Sequence, residues 1–459
     1  MPEIERDDPL RIVLTVHTFF PHSSGGTEDY TLALAKQLAV LGNDVVIITC
    51  ESNLWGDSPE VTAVEDTWEG IRVQRLHFNV LRTPNPVLYD YCNPYIETYL
   101  RQFYPSHGAD LVHVCHPGNL STATISAAKS LGLPVVTMAT DFWYICPVSQ
   151  LLRHDRTLCA GPHDLAHCLL CYVKQRKTAS RVSRLLSPLP IGLLRWGVGL
   201  CQHPWAEFTR PTRMVRALVH RRERLLRALD DVDYIVSPSQ FLCDGLVRNG
   251  VPAGKSIVSA HGIEKQWAET LPKPKQPADH LRFAFAGMIG WHKGTHIAVQ
   301  AIERLPRPDG VRLTIYGNSE QFAGYFQKLV PQIERNPQVV YGGLFPHSEI
   351  SDVLAEVDVL VMPSMWYENT PVIMYEAFAS RTPVIATREG GMAELIEIFN
   401  GGWTFPRGDV DALASLMQEL IDSPESVTAA GEEIGPVRTI DEHVSDLLEI
   451  YDRACRGSA

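Results

Sequence analysis

The chain is short of positive charge. Its 459 residues carry 41 Lys and Arg against 53 Asp and Glu, a formal net charge of −12. Such a surface repels phosphate backbones, so no nucleic-acid partner is expected. Cysteine is scarce as well: ten in 459 residues cannot form the dense disulfide framework of small secreted domains. No window reaches the ~18–20 uninterrupted apolar residues of a spanning helix. The opening MPEIERDDPL has neither the basic nor the apolar segment of a secretory signal, and a cytoplasmic location is expected. A complete G-x-G-x-x-G is missing too, which disfavours a nicotinamide-binding oxidoreductase.

What is present is the composition of a globular protein, 45% hydrophobic and 20% charged, long enough for two or three domains. Arg11-Ile-Val-Leu-Thr-Val-His17 reads as a buried parallel strand. A loop with Ser24-Gly25-Gly26-Thr27 follows, then a helical pattern from Thr31 to Leu41 and a second strand, Val45–Thr49. Strand, helix and strand within about 40 residues make a βαβ unit. The alternation continues through strands at 111–114, 135–138, 234–236 and 256–258, with a helix at 121–131. Residues 1–265 are therefore read as an N-terminal, doubly wound, Rossmann-like α/β domain carrying an insertion at about 142–230. The Pro-rich segment 266–280 reads as a linker. Strands at 282–286, 312–316, 338–341, 357–362 and 383–386 mark a second α/β domain, 281–435, with helices at 295–305 and 371–380. A last helix over 440–454 lies in the closing segment 436–459. Two such domains imply a ligand cleft between them.

Several residues carry chemistry. Gly25 and Gly26 stand between a strand and a helix, where backbone N–H groups can approach a phosphate. Glu368-Asn-Thr-Pro-Val-Ile-Met-Tyr-Glu376 sets two carboxylates around a helix start. Both can accept hydrogen bonds from sugar hydroxyls. Cys146, Cys159, Cys168 and Cys171 cluster in the insertion. In a reducing compartment they suit a structural zinc site or four reduced buried thiols, and spacing leaves both open, with His154, His163 and His167 as substitute ligands. Residues 174–227 hold thirteen Lys and Arg but only Glu207 and Glu223 as acids. Beside them, Leu193, Leu194, Trp196 and Trp205 suggest either a peripheral contact with an anionic membrane or a solvated basic helix packed on its domain.

In order along the chain, Gly25-Gly-Thr-Glu28, Asp110-Leu-Val-His-Val-Cys-His116, Gly287-Met-Ile-Gly-Trp-His-Lys293-Gly294, Asp358-Val-Leu-Val-Met-Pro-Ser364, Glu368 to Glu376, and Gly390-Gly391 resemble the motifs of family 4 retaining glycosyltransferases. That resemblance covers most of the chain. It implies the GT-B fold, with two Rossmann-like domains facing a cleft and the last helix returning to the first domain. It implies a nucleotide-sugar donor, a carbohydrate or lipid-linked acceptor, and no metal for catalysis. In that reading His116, Glu368 and Lys293 are catalytic. Gly25, Gly26, Lys293, Glu368, Asn369, Thr370 and Glu376 bind the donor, with Glu368 on its sugar, Glu376 on its ribose and Lys293 on its diphosphate. Two positions depart from the family. Met288 replaces an Arg, leaving His292 and Arg388 as neighbouring candidates for its charge. Thr140 replaces a His, which shifts sugar contact onto His116. These departures make a nucleotide-sugar-binding protein with decayed catalysis the alternative.

Overall fold

The computed structural model describes residues 9–457 apart from 24, 53, 176–185, 187, 271, 276–277 and 307–309. These residues form two compact units.

The first unit contains residues up to Pro238, Leu242–Ala260 and the chain from His443 onward. Its strands are β1 (Arg11–Val16), β2 (Asp44–Ser52), β3 (Thr62–Trp68), β4 (Ile71–His77), β5 (Leu111–Val114), β6 (Val135–Met138), β7 (Tyr234–Ser237) and β8 (Ser256–Val258). They form one sheet in the order β3-β4-β2-β1-β5-β6-β7-β8. Only β3 runs antiparallel to its neighbour. Central strands such as β1 and β5 are buried along almost their whole length, as expected for strands covered on both faces. The β3–β4 hairpin at the edge is an element the sequence reading lacks. Its outer strand, Thr-Ala-Val-Glu-Asp-Thr-Trp, is largely exposed and polar, the usual composition of an edge strand.

The last helix, Ile440–Gly457, joins this unit from His443 onward. Val444, Leu447, Ile450, Tyr451 and Ala454 are buried at helical spacing. Polar contacts fix it too. The His443 ring meets the Tyr30 hydroxyl at 2.9 Å and the Ser259 hydroxyl at 3.0 Å, and the Tyr451 hydroxyl meets His113 Nδ1 at 2.5 Å.

The second unit, Ser239–Phe241 with His261–Glu442, contains β9 (Leu281–Ala286), β10 (Val311–Tyr316), β11 (Val339–Gly343), β12 (Val359–Met362), β13 (Val384–Thr387) and β14 (Gly402–Phe405). Its parallel sheet has the order β11-β10-β9-β12-β13-β14. Side chains alternate between two cores. Phe283, Phe285, Val359 and Val361 enter one, and Ala284, Ala286, Leu360 and Met362 the other. This unit begins at His261, earlier than the sequence boundary. The supposed linker 266–280 opens inside a helix, Lys265–Thr270, with Trp267 packed on the core. Lys275 then donates to the carbonyls of Leu354 and Val357 and to the Thr382 hydroxyl. Satisfying those groups holds the segment on the unit instead of leaving it a free spacer.

The insertion forms the helices Leu165–Gln175, Ile191–Leu200 and Arg210–Val219, sharing a small core with Val87. One expectation is corrected here. Leu194 is not available to insert into a membrane, because it is 5% exposed and packs with Ala166 and Leu170. Arg221 is likewise a core cation, lying over the Tyr91 and Trp143 rings and donating to the Trp143 carbonyl. Leu193, Trp196 and Trp205 are exposed, as is Phe208. Arg176, Lys177, Arg181 and Arg184 lie outside the described residues.

Candidate functional site

In each sheet the strand order reverses beside the first strand of the unit, between β1 and β5 and between β9 and β12. Loops leaving the carboxyl ends of such strands diverge to opposite faces and leave room for a ligand. The motif residues lie on these loops.

In the second unit, Lys293 follows β9 in a short 3-10 turn, Trp291–Lys293, and Glu368 follows β12. Two backbone approaches bring these loops together. Met365 N–H donates to the His292 carbonyl at 2.7 Å. Gly294, with φ of 73°, lies so close to β12's exit that a Cβ there would sit 1.8 Å from the Pro363 carbonyl oxygen. The result is a compact ion pair with Lys293 Nζ 2.7 Å from Glu368 Oε1. The same oxygen accepts from Ser364 Oγ at 2.9 Å and Trp366 Nε1 at 2.5 Å. Burial alone would raise the Glu368 carboxyl. The Lys293 charge and the hydrogen bonds from Lys293, Trp366 and Ser364 outweigh it and hold the group below its usual value. Glu368 is thus an anion fixed in place.

Asn369 continues that loop, and Gly391 locks it. Gly391 N–H donates to the Glu368 carbonyl at 2.8 Å, and a Cβ on Gly391 would overlap the Asn369 carbonyl oxygen. Half-buried Thr370 precedes the helix Val372–Ala379, which carries buried Glu376. Glu376 has a partner that sequence reasoning missed, His347, whose Nε2 lies 2.5 Å from Glu376 Oε1. His347 follows β11 and no spacing rule connects it to Glu376. His292 does not replace the missing cation at Met288. Burial, reinforced by the Lys293 charge and opposed by Glu368, pushes its imidazole down to about 4, so it is neutral near pH 7. It packs instead against Trp366 and Phe322.

In the first unit, Gly25 and Gly26 open the helix Gly26–Val40, whose N-terminus has no side-chain cap. Glu28 in its first turn is 5% exposed. One of its oxygens accepts from the Thr18 hydroxyl at 2.5 Å and the Ser23 hydroxyl at 3.2 Å, with His17 Nε2 at 3.6 Å. His116, just past β5, is also buried. Gly118 N–H donates to its Nδ1 at 3.0 Å, which leaves the proton on Nε2, and Nε2 faces Asp141 Oδ2 at 3.3 Å. Asp141 Oδ1 accepts from Trp143 N–H at 2.7 Å. His116 thus has both ring nitrogens engaged within the protein, and Asp141, 37% exposed, is the acceptor that reaches outward. The His17 ring lies against His116, tilted by 54°, with centroids 4.4 Å apart. Burial, reinforced by the neighbouring His116, lowers His17 to about 4 against the pull of Glu28 and Asp141. His17, Glu28 and Asp141 are additions to the sequence-derived set. Their signal was position at or just beyond the ends of central strands, or in the helix turn that follows.

His113, within the same motif as His116, is structural. Fully buried beside Tyr451, it is lowered to about 3 by burial. The four cysteines of the insertion are all reduced. Among the described residues no three His, Cys, Asp or Glu side chains stand at coordinating distance from a common point. No helix of the described residues is long and apolar enough to cross a membrane.

Comparison with known proteins places these features in a family. The model for Glycosyltransferase Family 4 matches residues 24–267, and that for Glycosyl transferases group 1 matches residues 268–434. The putative colanic acid biosynthesis glycosyltransferase WcaL of Escherichia coli is 30% identical over 190 residues, covering 40% of this chain and 46% of WcaL. The match therefore spans about half the length of that relative. A glycosyltransferase structure from Rickettsia africae superposes with a TM-score of 0.64 at 14% identity, covering 97% of this chain and 99% of that one. Anabaena HepE in complex with UDP gives 0.61 at 14% identity, covering 98% and 99%. The shared architecture is the GT-B fold, and the chain belongs to glycosyltransferase family 4.

Proposed function

We propose that this protein transfers a sugar from a nucleotide-sugar donor to an acceptor hydroxyl with retention of anomeric configuration. The observation that carries the reading is the Lys293–Glu368 pair at the carboxyl ends of β9 and β12. A departing nucleoside diphosphate needs a fixed cation, and a sugar needs fixed hydrogen-bond acceptors. On donor binding, Lys293 turns part of its charge to the diphosphate, and Glu368 accepts from sugar hydroxyls. Glu376, with His347, faces the nucleoside. In the first unit, Asp141, oriented by His116 and Trp143 N–H, accepts from the acceptor or donor sugar. Without a dedicated nucleophile, the acceptor hydroxyl attacks from the side the leaving group departs, giving its proton to the departing phosphate. Positioning and leaving-group stabilisation carry the rate. The UDP found with HepE supports a nucleoside diphosphate as the leaving group.

A melting-temperature screen against UDP-, GDP- and ADP-sugars tests donor binding, because a ligand bound only by the folded chain raises stability by mass action. One class should stabilise the protein, and the same donor should then be hydrolysed or transferred. Binding without any turnover would favour the second reading, a donor-binding protein with decayed catalysis. That reading draws on Met288 and on the neutrality of His292.

The acceptor side of this proposal is a lipid-linked substrate met at an anionic membrane from the cytoplasmic face. Its support is the exposure of Leu193, Trp196, Trp205 and Phe208 beside exposed Arg195 and Arg210. Aromatic and leucine side chains suit the interface, and nearby cations add up to ~1 kcal/mol each against acidic headgroups. Co-sedimentation with anionic vesicles should be strong at low salt and fall as salt rises. Trp196→Ser combined with Phe208→Ser should weaken it. Failure to sediment with anionic vesicles at low salt would leave a soluble acceptor in its place.

A further inference from the structure

We propose that Cys146, Cys159, Cys168 and Cys171 form a structural site for one tetrahedral divalent cation of the zinc type. The site is outside the transfer chemistry and does not rest on the proposed function.

Two of the four residues stand on one helix and two in the loop that precedes it. Cys146 lies eight residues past the end of β6, Cys159 in the following loop, and Cys168 with Cys171 one turn apart on the helix Leu165–Gln175. All four line a single pocket of about 20 Å³. That is room for roughly one water-sized sphere, enough for an ion and too small for a cluster or an organic ligand. Cys146 and Cys171 are almost fully buried and the other two half-buried.

The surroundings treat one of these sulfurs as an acceptor. His154 N–H donates to Cys171 Sγ at 3.2 Å. Backbone donors aimed at sulfur are the outer-shell contacts that steady metal-bound thiolates. A buried neutral thiol, a weak acceptor, gains little from them. Cys159 Sγ at present donates to the Gly161 carbonyl at 3.1 Å. Since the sulfurs are not at coordinating distance as they stand, binding requires the thiols to turn inward about χ1 and to release their protons to solvent.

Position gives the site a purpose. Cys146 N–H donates to the Phe142 carbonyl at 2.7 Å, and Phe142 adjoins Asp141. A cation joining Cys146 to the helix at Cys168 and Cys171 would tie down the turn that carries Asp141 and Trp143. A loop-rich stretch gains most from such a cross-link, because metal-binding free energy becomes folding free energy.

The test is metal content and cobalt spectroscopy on the full chain. Protein purified without added metal should carry about one zinc per chain by elemental analysis. After chelation and loading with cobalt(II), it should show thiolate-to-cobalt charge transfer and the visible bands of tetrahedral cobalt. C168S/C171S should lose nearly all bound metal and melt lower, whereas C455S, remote from the pocket, should retain both. Should the double variant fail to fold, single Cys159→Ser and chelation of the wild-type chain supply the same readout. Chelation should lower the melting temperature and open the four thiols to a thiol reagent. Metal-free protein that takes up no cobalt, or a tetrahedral cobalt spectrum that survives Cys146→Ser, would overturn the site.

Discussion

Replacing Lys293 with alanine should lower sugar-transfer turnover by more than about tenfold and also destabilise the second unit. The first effect is the loss of a charge-assisted contact to the leaving diphosphate, worth about 1.5–3 kcal/mol, where about 1.4 kcal/mol is a factor of ten in rate. The second follows from geometry. Glu368 is 9% exposed in its side chain and has Lys293 as its ion-pair partner at 2.7 Å. Removing one member of a buried pair costs about 3–5 kcal/mol, because the other is left charged in a poor solvent or must take up a proton. The two effects separate in a double variant. K293A/E368Q removes both charges, so it should melt closer to wild type than K293A while its turnover stays low. The measurements are melting temperature and transfer rate with the donor found by the screen. A folded K293A protein with full turnover would remove Lys293 from the site. Equal melting temperatures for wild type and K293A would remove the buried-pair argument.

The folded chain should also lose stability steeply on acidification below about pH 6.5. Four imidazoles drive this. Burial lowers His113 and His261 to about 3 and His17 and His292 to about 4. In the unfolded chain each titrates near 6.5. Between about pH 6.5 and 4 the unfolded state therefore binds protons that the folded state refuses. Stability falls with falling pH, each group contributing roughly 1.4 kcal/mol per pH unit. Even two such groups over two pH units approach the roughly 5–15 kcal/mol that holds a typical domain together. Both units carry two of the four, so neither should be spared. Above about pH 7 all four are neutral in both states and the dependence should flatten. Urea melts at several pH values check this. His113→Gln should lower stability near pH 7.5, where its contact with Tyr451 is lost, yet show a shallower decline toward acid. A midpoint that stays level from about pH 7.5 to 5 would contradict the neutral burial of these rings.

The sequence by itself determined the fold class, most of the buried parallel strands and the family. Runs such as Ile-Val-Leu-Thr-Val in β1 and Val-Leu-Val-Met in β12 can be satisfied only by burial on both faces. The motif residues sit at fixed offsets from those strands, so their order along the chain survives without any structure. The sequence also marked Gly390-Gly391 as the turn flanking the Glu368–Glu376 motif, although the overlap a Cβ on Gly391 would make with the Asn369 carbonyl is visible only in three dimensions.

Tertiary structure decided the rest. β3 carries charge along an exposed edge, and β4, though buried, sets Gln74, Arg75 and His77 inside, so the apolar pattern was too weak to reveal the hairpin. Leu194 and Trp196 are two residues apart on one helix, and packing against Ala166 and Leu170 buried the first and left the second in solvent. Lys293 and Glu368 are 75 positions apart, and Glu376 and His347 are 29 apart. Such pairs form because parallel strands return their carboxyl ends to the same edge of the sheet, whatever the length of chain between them. Which side chains then meet, and which proton state each adopts, depends on local burial and on neighbours contributed by distant segments. Spacing along the chain contains neither quantity.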